Sequence, residues 1–507
     1  PPPPPPPPPL FFSHPPPPPP APLWSRGLGD VYKRQLQTNS TGNSNTAVGV
    51  CALLGNTTGG FNTATGFEAG RYTTTGNNNT AIGSYAGRDA TTASDNTAVG
   101  HRALCTTTTG SNNTGVGYQA LEKNTSAGQN TAVGYFALNK NTTGSRNNAF
   151  GFYALYSNTT GCCNSVFGNE SMENNTTGLY NAAVGAEVLK MNTTGSRNAA
   201  VGYKALYAST TSNYHTAMGM YALCSNTTGA ANTAVGYSGL ILNTTGANNT
   251  ASGVESLRHN TTGCYNTATG RNALRNNTTA NYNTAVGGCT LFANTTGACN
   301  TGVGYLALRD NTTGGKNTAV GAAALINNTT GVCNTALGYY ALYSNTTASV
   351  NTAIGTLSLY ANTTGTYNTA SGVRSLKENT TGSKNTASGI YALNRNTTGS
   401  QNTASGYKAL YFNTTGCYNT ASGYRALFCN TTASYNTAVG SCTLYANTTG
   451  ANNTAVGYRA MVANTCGNYN TALGYTALES NTTGTCNTGI GYRAVSYTHL
   501  TLPTNRE

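Results

Sequence analysis

A unit of 17 residues repeats along this chain without insertion or deletion. Residues 96–112 show it as NTAVGHRALCTTTTGSN, and the average unit reads N-T-A-V-G-Y-x-A-L-x-x-N-T-T-G-x-x. Its first Asn recurs in steps of 17 from Asn45 to Asn487, replaced once, by His215. We number positions from this Asn, so position five is the Gly shared by all 27 copies. Because an extra residue would break the stacking of identical units, the strict period predicts one repeat array.

Both ends of the chain depart from the repeat. Residues 30–35 read DVYKRQ and residues 495–500 read VSYTHL, and the two back-translate to one oligonucleotide in opposite orientations. They resemble a translated sequencing adaptor, and a poly-C read would produce the leading Pro run. We therefore expect residues 1–35 to be an artefactual, low-complexity leader, 36–494 the repeat array and 495–507 an artefactual tail, with the gene continuing beyond both ends. The alternative is a natural Pro-rich spacer and an ordinary tail.

Charge is sparse and confined to a few positions of the unit. Charged residues make up 8% of the chain, and the array itself holds 22 basic and 11 acidic residues. Nearly all occupy positions seven, ten, eleven and seventeen, the variable ones, which we therefore expect to face water. A weakly basic stripe could hold anionic glycans or nucleic acid, and the ordinary alternative is a solvated face.

The unit contains short runs that are compatible with extended backbone. Positions two to four (T-A-V) and six to nine (Y-x-A-L) are each bounded by Gly or Asn, which are turn formers. The constant Gly at position five indicates a positive φ or a close backbone approach. N-T-T-G predicts a second corner, in which Gly or Asn adopts the left-handed conformation. Frequent Gly, Asn and β-branched Thr disfavour a helical repeat.

The restricted positions predict a narrow, tightly packed interior or a seam between chains, and which side chains point inward depends on whether the Gly of position five reverses the alternation of the strand. Positions three and eight are small and position nine is mostly Leu, whereas positions four and six vary and are expected to be partly exposed. The sequence thus predicts an all-β fold, a parallel β-solenoid (β-roll or β-helix) of about 27 coils of 17 residues. Stacking at ~4.8 Å would make a rod of about 130 Å. Asn ladders at positions one and twelve and a Leu spine at position nine would run along it. The thin core favours association, with a homotrimer expected.

Two motifs resemble known fibre repeats. NTAVG at Asn96 and NSVFG at Asn164 resemble the head repeat of trimeric autotransporter adhesins, and NTASGYKALYFNTTG at residues 402–416 resembles arrays in bacterial and phage tail-fibre proteins. The resemblance implies three chains side by side, left-handed parallel β-rolls in the adhesin case and a trimerising chaperone domain in the tail-fibre case. The adhesin unit is shorter than 17 residues, and this chain carries no chaperone, stalk or anchor motif.

The residues that usually perform chemistry are scattered. Glu68, Glu170 and Glu255 share position seven but lie several copies apart, and the His residues of the array are isolated: His101, His215 and His259. Paired carboxylates, a catalytic triad and a His-based metal site are therefore not expected. We predict no catalytic, cofactor-binding or metal-binding residues, no cofactor and no enzymatic activity.

Two further sequence features bear on location and modification. The fourteen Cys never share a position in adjacent copies, so we interpret them as tolerated surface substitutions. No apolar run approaches the ~20 residues of a membrane helix. N-T-T also fits the N-glycosylation pattern, the alternative being a structural role for Asn and Thr at a corner.

Three functions remain open at the level of sequence. The first is a structural shaft or adhesive fibre on a cell surface or virion, extracellular, with self-association as a homotrimer and a surface receptor or glycan as partner, without specific nucleic-acid binding. The second is ice binding or nucleation by stacked Thr. The third is an intracellular or viral scaffold filament, indicated by unpaired Cys.

Overall fold

A computed structural model describes residues 2–4 and 34–495. It divides into two compact units, Pro1–Ser145 and Arg146–Glu507, each a stack of 17-residue coils. Apart from residues 2–4, 34 and 35, the expected leader lies outside the described residues. The expected tail also lies outside them, except for Val495.

The described residues contain 27 β-strands, each of three residues at positions two to four. The first unit holds β1 (Thr46–Val48), β2 (Thr63–Thr65), β3 (Thr80–Ile82), β4 (Thr97–Val99), β5 (Thr114–Val116) and β6 (Thr131–Val133). The second unit holds β7 (Asn148–Phe150), β8 (Ser165–Phe167), β9 (Ala182–Val184), β10 (Ala199–Val201), β11 (Thr216–Met218), β12 (Thr233–Val235), β13 (Thr250–Ser252), β14 (Thr267–Thr269), β15 (Thr284–Val286), β16 (Thr301–Val303), β17 (Thr318–Val320), β18 (Thr335–Leu337), β19 (Thr352–Ile354), β20 (Thr369–Ser371), β21 (Thr386–Ser388), β22 (Thr403–Ser405), β23 (Thr420–Ser422), β24 (Thr437–Val439), β25 (Thr454–Val456), β26 (Thr471–Leu473) and β27 (Thr488–Ile490).

Within each unit the strands pair in parallel, and each position pairs with the same position of the next coil. In β19 and β20, for example, Thr352 lies opposite Thr369 and Ala353 opposite Ala370. Backbone hydrogen bonds continue outside the strands, as from Thr312 N to Thr329 O at 2.9 Å. This register confirms the predicted all-β parallel solenoid with one repeat per coil.

Positions six to nine are not the second extended run that the sequence predicts. Positions seven and nine are left-handed, as in Leu306 (φ 60°) and Leu308 (φ 52°). Both Ala307 and Leu308 are fully buried. A strand would point successive side chains to opposite faces, so two adjacent inward residues require a turn. The prediction was wrong here because the pattern of small and apolar residues does not reveal φ.

The N-T-T-G corner is present, but its left-handed residue is not the predicted one. Position seventeen has the positive φ, as in Lys316 (φ 59°). The Gly of position fifteen is instead needed for close approach: a Cβ on Gly314 would lie 2.4 Å from Gly331 O in the next coil. Ala replaces this Gly in some copies, such as Ala348, so the chain accommodates one methyl group there.

The interior of each coil is narrow and partly polar. Positions one, three, eight, nine and twelve are buried, and one coil supplies Asn334, Ala336, Ala341, Leu342 and Asn345. The Leu that most coils carry at position nine forms the predicted spine, and burying each one contributes about 2 kcal/mol. Positions four and six are partly exposed, as predicted.

Two Asn ladders satisfy the polar interior. At position twelve, Asn345 Nδ2 donates to Asn328 Oδ1 (2.8 Å) in the preceding coil and to Ala348 O (3.0 Å). At position one, Asn351 N donates to Asn334 Oδ1 (3.0 Å). These bonds confirm the predicted ladders, and they matter because a buried amide without partners is costly.

The ladders are interrupted in the first unit. Gly70 and Gly87 replace Leu at position nine, while Thr73 and Ala90 replace Asn at position twelve. An internal cavity of about 20 Å³ lies between these coils. The cavity lies where the Leu side chains are missing, so we interpret it as a packing defect of the core and not as a binding site.

Position five is where neighbouring coils approach most closely. Gly304 has φ +129°, and a Cβ there would lie 2.7 Å from Gly321 O in the next coil. The sequence predicts a positive φ or a close backbone approach at this position, and the structure shows both.

Replacement of this Gly should disrupt the stack, whereas its neighbour should tolerate change. We expect Gly304→Val to lower local stability by at least about 2 kcal/mol, because the backbone is strained and the coils must separate. Tyr305→Ser should change it by less than about 0.5 kcal/mol, since Tyr305 is 63% exposed. Amide hydrogen exchange of the adjoining coils measures both, and equal effects would contradict the assignment of position five.

His215 replaces Asn in the ladder of position one and copies its hydrogen bonds. Its backbone N–H donates to Asn198 Oδ1 (3.0 Å), and its Nδ1 accepts from Asn232 N (3.2 Å). Its Nε2 lies 3.0 Å from Ser212 Oγ. Since Nδ1 is an acceptor, the ring is neutral with its proton on Nε2. Burial lowers the pKa of His215 to about 4.

This buried imidazole should make the surrounding coils acid-sensitive. The pKa in the folded state is lower than the ordinary 6.5, so the unfolded chain binds the proton more readily. Stability should therefore fall as pH drops from about 6.5 to 4, by roughly 3 kcal/mol in total. His215→Asn should abolish this loss, as measured by amide exchange of residues 198–232 at pH 7 and 4.5. The same pH dependence in both proteins would contradict it.

Candidate interaction surface

The outward side chains of each coil fall into three groups. We call positions two and four the strand face, positions six, seven, ten and eleven the turn face, and positions thirteen, fourteen, sixteen and seventeen the corner face. Each position forms a row parallel to the stacking direction within a unit, because the coils are in register. The surface is thus a set of ladders of like residues.

The strand face combines Thr with an apolar row. Position four of the second unit exposes Val184, Val201 and Met218 by 42–45%. The rings of Phe150 and Phe167 stack at 4.8 Å between centroids. Apolar side chains in contiguous, half-exposed rows are typical of a surface that contacts another protein.

The turn face combines aromatic columns with basic residues. Tyr407 and Tyr424 stack at 5.6 Å in one column at position six, and Tyr411 and Phe428 stack at 5.4 Å in the parallel column at position ten. Lys408, at position seven, lies between the columns, with Nζ 5.2 Å from the Tyr407 ring centroid and 5.6 Å from that of Tyr411. Such distances permit cation–π attraction.

The corner face uses part of its polar groups to hold the coils together. Thr329 Oγ1, at position thirteen, donates to Thr346 O in the next coil at 3.1 Å. The rings of Tyr265 and Tyr282, at position seventeen, stack at 5.2 Å. The first Thr of N-T-T therefore reinforces the backbone ladder, and the second Thr remains exposed.

The Asn of N-T-T is buried in all coils between the terminal ones. Asn345 is fully buried, and its amide donates both to the preceding coil and to its own corner. The structure therefore favours the structural role of this motif over a glycosylation site.

The acidic residues at position seven form separate ion pairs. Glu170 pairs with Lys190 at 2.6 Å, and Glu255 pairs with Arg275 at 2.8 Å and Arg258 at 3.0 Å. The hydrogen bond from Arg275 lowers the pKa of Glu255. Glu68 pairs with Arg71. These ion pairs join residues of the same coil or of neighbouring coils. They bring no two of the carboxylates of Glu68, Glu170 and Glu255 together.

The three His residues are also in different surroundings. His101 stacks on Tyr118 at 5.3 Å on the turn face, and His259 Nδ1 lies 3.0 Å from Asn276 Oδ1. His215 is in the core ladder. In the described part of the chain, no three His, Cys, Asp or Glu side chains form a group suited to a metal ion. The same residues contain no helix with the length and apolarity that crossing a membrane requires.

What sequence reasoning missed is the pairing of aromatic and basic rows on the turn face. Positions six, seven and ten are adjacent only because positions seven and nine are left-handed. A signal was available in the sequence, since Tyr407, Lys408 and Tyr411 recur as Tyr424, Arg425 and Phe428 one unit later. The arrangement suits association and the binding of an extended ligand.

Comparison with known proteins adds no family assignment. No family model matches the chain, and no similar sequence is found among the curated proteins.

The cysteines are free thiols that differ in exposure. No disulfide joins them within the described residues, which include all fourteen. Cys299 and Cys333 are exposed, as predicted for tolerated surface substitutions. Cys105 is fully buried, so the prediction was wrong for that residue. Position ten of its coil is covered, and burial raises the pKa of the Cys105 thiol.

Thiol reactivity should follow this difference. We expect Cys299 to react with iodoacetamide at pH 8 at least about tenfold faster than Cys105, because the reactive thiolate is both less accessible and less populated at Cys105. Peptide mass spectrometry after timed labelling of the native chain measures both sites, with the denatured chain as control. Equal rates in the native chain would contradict the buried placement.

Proposed function

We propose that residues 36–494 are a structural, self-associating segment of an extracellular fibre, of the tail-fibre or trimeric-adhesin type, on a virion or cell surface. The observation that supports this function is the unbroken register of stacked coils within each unit, combined with an exposed apolar row on the strand face. No enzymatic activity is included in the proposal.

Stacking in register favours a mechanical role. Each coil is joined to the next by strand pairing, by two Asn ladders and by the Thr hydroxyls of the corner, so many hydrogen bonds act in parallel. The 21 coils of the second unit, at ~4.8 Å each, extend about 100 Å along the stacking direction. A shaft requires this combination of length and uniform axial bonding.

The strand face supports association with further copies of the same chain. A second copy carries the same rows at the same spacing, so Val184, Val201 and Val235 of each copy can meet equivalent rows over many coils. The narrow core, with one Leu in most coils, leaves apolar surface that such packing would bury. We propose three copies, as in the fibres that the repeat resembles.

The alternatives receive less support. Ice binding by the N-T-T ladder requires free Thr hydroxyls, but the first of them donates to the next coil, as Thr329 does. On the strand face, the Thr row lies beside position four, which varies from Val to Phe and Ser. A scaffold filament would share the same association, so only the compartment distinguishes it.

Charges placed on the strand face should prevent association. We expect the full chain to be a trimer by light scattering and β-rich by far-UV circular dichroism. The triple variant Val184→Glu, Val201→Glu and Val235→Glu should be monomeric, because the carboxylates of each copy would be buried against those of the other copies.

A matched variant controls for added charge. Val254→Glu, Val332→Glu and Val350→Glu replace Val residues of similar exposure (39–43%) outside the strand face and should leave the trimer intact. A trimeric strand-face variant would exclude that face as the interface. A monomeric parent chain would overturn the proposed association.

A further inference from the structure

We propose that a patch on the turn face binds an acidic polysaccharide. This aromatic–basic patch consists of Arg395, Tyr407, Lys408, Tyr411, Tyr424 and Arg425, in three successive coils of the second unit. The inference goes beyond the proposed structural role and requires only the folded coils, not their association.

The patch lies in the longest stretch of the array without negative charge. Between Glu378 and Glu479 the sequence contains no Asp or Glu. Arg395, Lys408 and Arg425 form no ion pair within the described residues. The coils that hold Lys408 and Arg425, and the coils next to them, contain no acidic residue, so these two charges remain available to an anionic ligand. Arg395 lies one coil from Glu378, in the same row, without an ion pair between them.

Many basic residues elsewhere in the array are neutralised by acidic neighbours. Arg102 pairs with Glu122 at 2.6 Å in the first unit, and Arg309 pairs with Asp310 at 2.5 Å in the second. In the part of the chain that the structure describes, cations without an ion pair also occur outside the patch, as at Lys316 and Lys384. The patch differs from them because its cations lie beside two stacked aromatic columns.

Aromatic rings hold these cations in position. Arg425 Cζ lies 5.2 Å from the Tyr424 ring centroid and 5.3 Å from that of Phe428. Arg395 Cζ lies 4.9 Å from the ring of Phe412. Contacts on aromatic rings restrict the rotamers without neutralising charge, which lowers the entropy cost of binding. Lys408 and Arg425 occupy position seven of adjacent coils, so these two cations are one coil spacing apart, which suits a polymer with regularly spaced anions.

A surface recess adjoins the patch. It has a volume of about 270 Å³, and its walls include Arg425, Tyr445, Tyr458 and Arg459. It opens where position seven shortens from Arg to Cys442. Arg459 is paired with Glu479 at 3.1 Å, which leaves Arg425 as the free cation of the recess. A carboxylate or sulfate group on a sugar ring matches this combination of a guanidinium and phenol hydroxyls.

Ring stacking argues for a polysaccharide over single-stranded nucleic acid. Proteins that bind single strands offer open aromatic faces on which bases stack. Here Tyr407 covers Tyr424 with an interplanar angle of 12°, and Phe428 lies between Tyr411 and Tyr445 at 15° and 8°. Faces within the columns are already occupied, so the columns present ring edges and hydroxyls, which hydrogen-bond to sugar hydroxyls.

The strand face changes character in the same coils. Position four, apolar in most of the second unit, is Ser in four successive coils that span the patch: Ser371, Ser388, Ser405 and Ser422. The apolar row proposed for self-association is therefore interrupted there. This leaves the coils of the patch the least suited to burial against another copy.

Binding of heparin to the full chain tests the proposal, with polygalacturonate as a carboxylate-only probe, dextran as a neutral one and oligo-dT as single-stranded DNA. We expect salt-sensitive binding of heparin or polygalacturonate, weaker binding of oligo-dT and none of dextran. Arg395→Gln, Lys408→Gln and Arg425→Gln combined should weaken binding at least about tenfold. Tyr407→Phe and Tyr424→Phe combined, which keep the rings, should weaken it several-fold.

A matched variant separates the patch from overall charge. Arg197→Gln, Lys316→Gln and Lys384→Gln remove three cations from position seventeen of the same unit and should leave affinity unchanged. Equal weakening by both triple variants, tighter binding of oligo-dT, or no binding of either acidic polysaccharide would overturn the proposal. Circular dichroism of each variant confirms that it is folded. Light scattering of the same samples tests self-association separately. A chain that is monomeric and still binds the acidic polysaccharide would contradict the proposed association and support the patch.

Discussion

The hydrogen bonding of each coil to the next is the interaction on which the rest of this structure depends. A coil of 17 residues encloses few side chains, and two of them are Asn. These amides are stable in the interior because each finds its partner in the adjacent coil, as Asn345 does with Asn328. A single coil would leave the same groups unpaired, so the fold is stable only as a stack.

Close approach of the coils explains why some positions cannot vary. At position five a side chain would collide with the carbonyl of the next Gly, and every copy retains Gly. At position one the ladder accepts His215, since the imidazole provides one acceptor and one donor in place of the amide. That replacement occurs beside Ser209 and Ser212, whose hydroxyls lie 2.6 Å apart and complete the local hydrogen bonding.

The outward positions have no such constraint, and differences between coils are concentrated there. The strand face is apolar over much of the second unit and hydroxylic from Ser371 to Ser422. Over overlapping coils, the turn face gathers Lys408, Arg425 and stacked Tyr residues without acidic partners. Inward positions of the repeat therefore maintain the stack. Substitutions at outward positions change the chemistry of one surface row without disturbing the stack, so different rows can serve association or binding.

The sequence by itself determined the period, the parallel register, the restriction of positions three, eight and nine to small residues and Leu, the two Asn ladders and the requirement for Gly at position five. Each follows from a residue type that recurs in a fixed place. Only the tertiary structure decided that positions seven, nine and seventeen are left-handed, that Cys105 is buried and that Lys408 lies between two aromatic columns. Residues such as Leu308 do not prefer a positive φ. They adopt it because two adjacent side chains must pack inward, and that packing depends on the coils above and below.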